Sequence, residues 1–537
     1  MGITMKKNHL SLFANISILL FLILISGTIS VFSGLTIDWD FLNYHLYNPY
    51  AFLTGRIFTD LAPCGIHSFF NPILDIPYYL MFKNFFNTQW VITFFQGSYF
   101  GILTFILFKI NLFLFRKTSF NELFFPVIAT VFGVTEVIIF SMLGTTHNDI
   151  QIALLILLAF YFLMKNILLK NSPKRIFFIS LSAFLSGACF GFKYSFYIFA
   201  FILLIVCFFK PLQKRKKFFS TLFLFILFGV IGFLAADGYF AYILYQRFSN
   251  PIFPFFNEIF KSEWFPLINK TAPESSFLTF GLKSIAVNPF YWSSHPLSVL
   301  EIEFFDLKHI LAYLSFFGLI IMSLKKKIKF NFRWKFLMVF ILISYLIWSN
   351  TISVIRYLAP ILALSGSLIV FFFLNILREM KHNDIREQKL FCVTLLLFSF
   401  LNYTPVAIAK STEQIIIPDL KLPNNSLVLF SAKKLSYLIV GNNPTVKYIN
   451  LCMSWANQIP LSEKYSNYVK EQIKEHENIY LIGSQDWYDS LLHDKKYFSR
   501  EFNIYYTNCR SIDGITQGKS EKEELSAQNV ICEVYKK

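Results

Sequence analysis

The chain has 537 residues, 55% of them hydrophobic and 15% charged, with a net charge of +17 and a mean hydropathy of +0.52. Disorder needs a polar, charge-rich chain, and the low Gly, Pro and Cys content excludes collagen-like and disulfide-scaffold classes. What fits is a polytopic membrane protein, provided the apolar residues come in runs of about 20.

They do. Eleven apolar runs read as spans, near 11–33, 89–113, 121–142, 149–168, 176–191, 193–209, 218–243, 308–324, 335–350, 354–377 and 390–408. The first run is longer than a signal-peptide core and no small-x-small cleavage site follows it, so it reads as a retained anchor. Its far end opens a loop over 34–88, and a second long loop covers 244–307. Both are rich in aromatics and proline, as in Asn250-Pro-Ile-Phe-Pro-Phe-Phe-Asn257, which suits short helices at a membrane interface. The tail, 409–537, changes character. Ser426–Ser431, Val446–Asn450 and Asn478–Gly483 read as strands, and 462–476 and 485–497 as helices, giving a small α/β domain.

The charge is placed unevenly. Residues 409–537 are nearly neutral, with 16 Lys and Arg against 15 Asp and Glu, so the basic excess lies in 1–408. There it alternates with the spans, at Lys6–Lys7, around Arg116, around Lys170, at Lys214–Lys217, at Lys325–Lys327 and around Arg386. Short basic loops mark the cytoplasmic side of a bilayer, and this distribution, not nucleic acid, accounts for the net charge. The N-terminus is therefore expected in the cytoplasm. With an odd number of spans, the long loops and the tail domain face outward.

The expected domains are a membrane domain over 1–408 and an outer domain over 409–537. Of seven cysteines, Cys189, Cys207 and Cys392 fall in spans, Cys64 in the first loop, and Cys452, Cys509 and Cys532 in the tail. Cys509 and Cys532, each near a strand and outside the cytoplasm, are expected to form a disulfide.

Few charges share the outer face. Asp38 and Asp40 follow the first span, and an acidic pair there can serve as a base or hold a divalent cation such as Mg or Mn. Asp38 is equally suited to capping the next helix. Thr145-Thr-His-Asn-Asp149 opens the fourth span, and Asp237 lies near the end of the seventh. Three outer cations run against the orientation rule: Lys193 in the tight connection Gly191-Phe192-Lys193, Arg247 at the second loop, and Arg356 at the tenth span. Arg presents a planar fork suited to phosphate and Lys a point charge. A carboxylate can deprotonate an acceptor hydroxyl while a cation stabilises a leaving phosphate, which is what transfer from a phosphate-linked donor requires.

Asp40 with Tyr44 and Gly55, Asn148-Asp149 opening an apolar helix, and Arg356-Tyr357 with Pro360 resemble, in that order, the motifs of the GT-C superfamily of integral-membrane glycosyltransferases. That group includes protein O-mannosyltransferases and aminoarabinose transferases. Asn250–Asn257, Asp60-Leu-Ala-Pro63 and Asn71-Pro72 look like bacterial members. The resemblance covers roughly 1–408. One departure is Phe41, where the family carries a second acidic residue, although Asp38 could replace it.

The resemblance implies an inverting glycosyltransferase in a bacterial cytoplasmic membrane, using a polyprenyl-phosphate sugar donor and a glycan, lipid or protein acceptor. In that reading Asp40 is the base, with Asp38 or Asp149 orienting the acceptor or holding a metal. Arg356, Lys193 and Arg247 bind the donor phosphate, and Tyr44, His45, Asn148 and Tyr357 contact substrate. Asp40 and Arg356 are expected to share a pocket. Two rivals remain at this stage: a polysaccharide polymerase, ligase or lipid-linked-sugar flippase, and a non-catalytic scaffold. A flippase would need polar groups lining a path through the spans, and the sequence shows few.

Overall fold

The computed structural model describes residues 11–116, 118–120, 122–168, 174–207, 215–267, 288–351, 353–401, 403–406, 408–432, 435–453, 460–484, 491–492, 494–512 and 529–537. The chain is a multi-pass membrane protein. Eight helices among the described residues are long and apolar enough to cross a bilayer: Leu12–Ser33, Gln89–Phe115, Asp149–Asn166, Lys174–Phe192, Phe218–Phe248, Leu307–Leu324, Phe332–Ser349 and Ile355–Glu379. The other three expected spans correspond to shorter helices. The run at 121–142 breaks into Phe124–Val134 and Val137–Ser141, because Glu136 turns extended and its carboxylate accepts from the Ile138 and Ile139 amides. The run at 193–209 gives Tyr197–Cys207 after a tight turn, and that at 390–408 gives Ile385–Phe398, capped by Asp384.

The described residues fall into two compact units. The first comprises Met1–Ser30, Phe94–Ala236 and Ser276–Ile408 and is a helix bundle. Its helices start where a short polar side chain satisfies the first amides: Asp306 accepts from Lys308 N, and Asn331 from Arg333 N and Trp334 N. Lipid offers no hydrophobic drive between helices, so close backbone contact does the packing. Phe124–Val134 and Ala359–Glu379 meet at Gly133 and Gly366, where a Cβ on either would collide with a carbonyl oxygen of the other helix, Ala363 or Ala129.

The second unit comprises Val31–Thr93, Asp237–Ser275 and Ala409–Lys537. The tail thus folds together with all of the first loop and part of the second. Strands β1 (Leu35–Thr36) and β2 (Lys410–Ser411) pair antiparallel, joining the chain after the first span to the chain after the last. A five-stranded mixed sheet follows, from β3 (Leu427–Phe430), β4 (Lys447–Asn450), β5 (Ile479–Ser484), β6 (Ile504–Ser511) and β7 (Asn529–Lys536), in the order β4-β3-β5-β7-β6. The three expected strands are β3, β4 and β5. The expected helix at 462–476 is Glu463–Glu475; much of that at 485–497 lies outside the described residues, and the helix described there is Lys495–Phe502.

Alternation along the strands gives this sheet two apolar faces. Val428, Phe430, Tyr448 and Ile482 meet Phe41, Tyr44, Tyr78 and Phe82 of the first loop. Leu427, Leu429 and Leu481 meet Tyr465, Val469, Ile473 and Phe498, together with Phe248, Phe253 and Phe265. The loop aromatics expected at a membrane interface are therefore in large part core of this unit. Cys509 and Cys532 form the expected disulfide, bridging β6 and β7.

Candidate functional site

In the helix bundle, Asn148 takes a left-handed backbone (φ 63) and turns the chain into the helix that Asp149 begins. Asp149 is fully buried. Its Oδ1 lies 2.5 Å from Lys193 Nζ and its Oδ2 3.6 Å from Arg356 Nη1. Lys193 reaches it from the extended residue between two helices, and Arg356 from the short turn Ile355–Leu358 ahead of Pro360. The Lys193 ammonium also donates to His147 O at 3.0 Å and sits 5.3 Å from the Tyr357 ring. Three residues far apart in sequence are thus brought together, with Tyr357 as an aromatic wall.

The balance in this group is two cations to one carboxylate. Asp149 is closed to solvent, while the side chains of Lys193 and Arg356 keep 23% and 17% exposure. A buried carboxylate so engaged aims the two cations. With the Arg fork and the ammonium partly open, the pair is able to hold an anion.

In the second unit, the chain after β1 forms a wide helical turn over Phe41–His45. Asp38 Oδ1 accepts from Phe41 N at 3.0 Å, so Asp38 serves as the cap that its position allowed. Asp40 makes no capping hydrogen bond to that turn. Tyr44 is buried and stacks on His67 at 5.1 Å, and His45 Nδ1 lies 2.8 Å from Asp75 Oδ1 with both side chains buried. Asn71 Nδ2 donates to Asp237 Oδ1 at 2.8 Å. Burial, reinforced by the carboxylates of Asp38 and Asp75, pushes the Tyr78 phenol up. Lys410, paired with Thr36 across β1–β2, is pulled down to about 8 by burial, with Asp38 acting in the opposite sense.

Arg247 is engaged otherwise than expected. Its guanidinium donates to the backbone carbonyls of Ile57 and Asp60. Asp60 itself is held by Arg56 at 2.8 Å and by Tyr47, and accepts from the Tyr448 amide. Those bonds fix the first loop to the sheet, a structural duty that accounts for the Arg247 side chain.

Sequence reasoning missed several polar residues. Asp75 and His67 bear on Tyr44 and His45, and a buried group in the bundle joins Glu136 to His309 (2.5 Å) and Asp306 to Lys308 (3.4 Å). An Asp or His inside an otherwise apolar stretch was the available signal. As for metal, Asp38 has one carboxylate oxygen on an amide, and among the described residues no group of three or more His, Cys, Asp or Glu is placed to hold an ion.

No protein-family model matches this sequence, and no curated protein matches it. Solved structures do. The chain is similar to ArnT from Cupriavidus metallidurans in the apo state, with a TM-score of 0.52 at 9% identity over 96% of this chain and 97% of that one. It also aligns with the mycobacterial arabinofuranosyltransferase AftD, with a TM-score of 0.44 at 12% identity over 96% of this chain and 39% of that one. In its spans and C-terminal mixed sheet together, the chain shares the fold of ArnT.

Proposed function

We propose that this protein transfers a sugar from a polyprenyl-phosphate donor to an acceptor hydroxyl outside the cytoplasm, with inversion. The observation that carries this is the buried Asp149 gathering Lys193 and Arg356, whose ammonium and guanidinium remain partly open to solvent. A polyprenyl-phosphate sugar is a phosphodiester with one negative charge. When the anomeric C–O bond to phosphate breaks, the departing polyprenyl phosphate carries two. Two fixed cations therefore stabilise the doubly charged leaving group more than the singly charged donor, which is the differential that lowers a barrier. ArnT of the same fold has also been solved bound to undecaprenyl phosphate, a ligand of the kind this reading requires.

Asp40 is the general base. It takes the acceptor proton as the acceptor oxygen bonds to the anomeric carbon, and the donor bond leaves on the opposite face. Asp149 acts through Lys193 and Arg356 and is a positioning residue. His45, held by Asp75, and Tyr44, stacked on His67, are proposed to border the acceptor. The lipid chain remains in the bilayer, and the protein lies in a bacterial cytoplasmic membrane with its tail outside.

The test uses purified protein in nanodiscs with a monosaccharide on polyprenyl phosphate and a panel of glycan, lipid and peptide acceptors. Asp40→Asn is expected to abolish transfer while the protein still inserts. Arg356→Ala is expected to lower kcat by roughly 100-fold or more, the scale on which a transition-state charge donor acts. Full activity of Asp40→Asn refutes the assignment. Turnover only with oligosaccharide pyrophosphate donors points to a polymerase or ligase instead.

A further inference from the structure

The tail helix Glu463–Glu475 buries Tyr465, Val469 and Ile473 against the sheet. Its opposite strip, with Glu463, Lys464, Asn467, Tyr468 and Glu471, does not open onto plain solvent. It forms one wall of a groove of about 600 Å³ whose other wall is Glu263 and Trp264 from the second loop. That size falls within the range of small-molecule sites, about 300–1,000 Å³. The strip runs over nine residues of helix, from Glu463 to Glu471, a rise of about 12 Å.

Two aromatic rings face each other from these walls. Trp264 and Tyr468 stand edge to face at 5.6 Å, and Trp264 is braced by Phe248 at 5.8 Å. Around them are three carboxylates, one carboxamide and one ammonium. A rigid aromatic face suits the C–H face of a sugar ring, and carboxylates and a carboxamide suit its hydroxyls. The charge excludes other occupants: three acids against one base repel phosphate and anionic glycans. Lys464 lies 5.4 Å from the Trp264 ring and 2.7 Å from Glu263. Its side chain is 46% exposed and that of Glu263 74%. An exposed ion pair of this kind is weak, so an arriving ring displaces the ammonium at little cost.

We propose that this groove is a saccharide-binding site for a short stretch of neutral glycan. If the chain is a transferase, this is where an extended acceptor is held, a role that rests on the function proposed above; the binding itself does not.

The experiment is titration calorimetry on the full chain in nanodiscs with neutral tetrasaccharides (mannan-, glucan- and chitin-derived) and with an anionic oligogalacturonate. Saturable binding of a neutral probe is expected, weakened 10-fold or more in Trp264→Ala and in Glu471→Gln. The second variant changes an exposed residue and leaves the fold intact, so it decides the matter if Trp264→Ala misfolds. Absence of saturable binding by every neutral probe overturns the proposal, as does tighter binding of the anionic probe or unchanged binding in Glu471→Gln. Asp40→Asn should bind the neutral probe as the wild type does, which separates failure of this site from failure of the transferase reading.

Discussion

At the scale of single residues, neighbouring acids with similar sequence prospects have different duties. Asp38 is spent on a backbone amide and Asp149 on two cations, while Asp40 caps nothing in its own turn. Lys410 gives this region a pH signature. Burial lowers it to about 8, against 10.5 for a free lysine, so the folded unit favours the neutral amine. Below about pH 8 the fold must retain a buried ammonium, and that destabilisation is relieved as pH rises from about 8 through the ordinary lysine range. Lys410→Met removes the group. Thermal unfolding midpoints at pH 7 and pH 10 should therefore rise more in wild type than in the variant; parallel shifts would deny the effect.

Cys64 behaves similarly in kind. Burial pushes its thiol up to about 12. A thiol that stays protonated and shielded is a poor nucleophile.

At the scale of elements, the helix that follows Arg356 is held to Phe124–Val134 through paired glycines. Replacing Gly133 by Leu forces a side chain against the Ala363 carbonyl. Overpacking costs about 1–3 kcal/mol or more. The expected result is a lower thermal midpoint in detergent together with loss of turnover, since the turn carrying Arg356 shifts. Gly229, whose Cβ position has nothing closer than 3.8 Å, provides the control and should tolerate Ala. The buried Glu136–His309 and Asp306–Lys308 pairs brace the same bundle, and their acids cap two helices at once.

At the scale of the whole molecule, the cysteines report on the fold. Four described cysteines, Cys64, Cys189, Cys392 and Cys452, are buried thiols outside any disulfide, and Cys509 and Cys532 are bridged. Maleimide added to the native protein without reductant should spare all six; after denaturation it should modify those four but spare the bridged pair until reductant is added, read site by site by peptide mass. Free thiol at Cys509 or Cys532 in unreduced protein would contradict the bridge.

What was legible in the sequence was whatever repeats locally. Runs of about 20 apolar residues announce spans, basic loops set their expected orientation, and alternating strands with an amphipathic helix announce the tail domain. Asp149, Lys193 and Arg356 stood out as charges in an apolar setting. What the sequence did not show is which residues meet. Glu136 finds His309 across 173 positions, and Arg56 reaches the Val446 carbonyl across 390. Likewise the first loop turned out to be half the core of the tail's unit, because its aromatics match the apolar face of a sheet formed more than three hundred residues later. Periodicity is a property of neighbours along the chain, so sequence determined the elements and the fold class. Ion pairing and burial depend on distance in space, so only the tertiary structure decided which acid caps, which cation braces a loop, and which cations gather on one buried carboxylate.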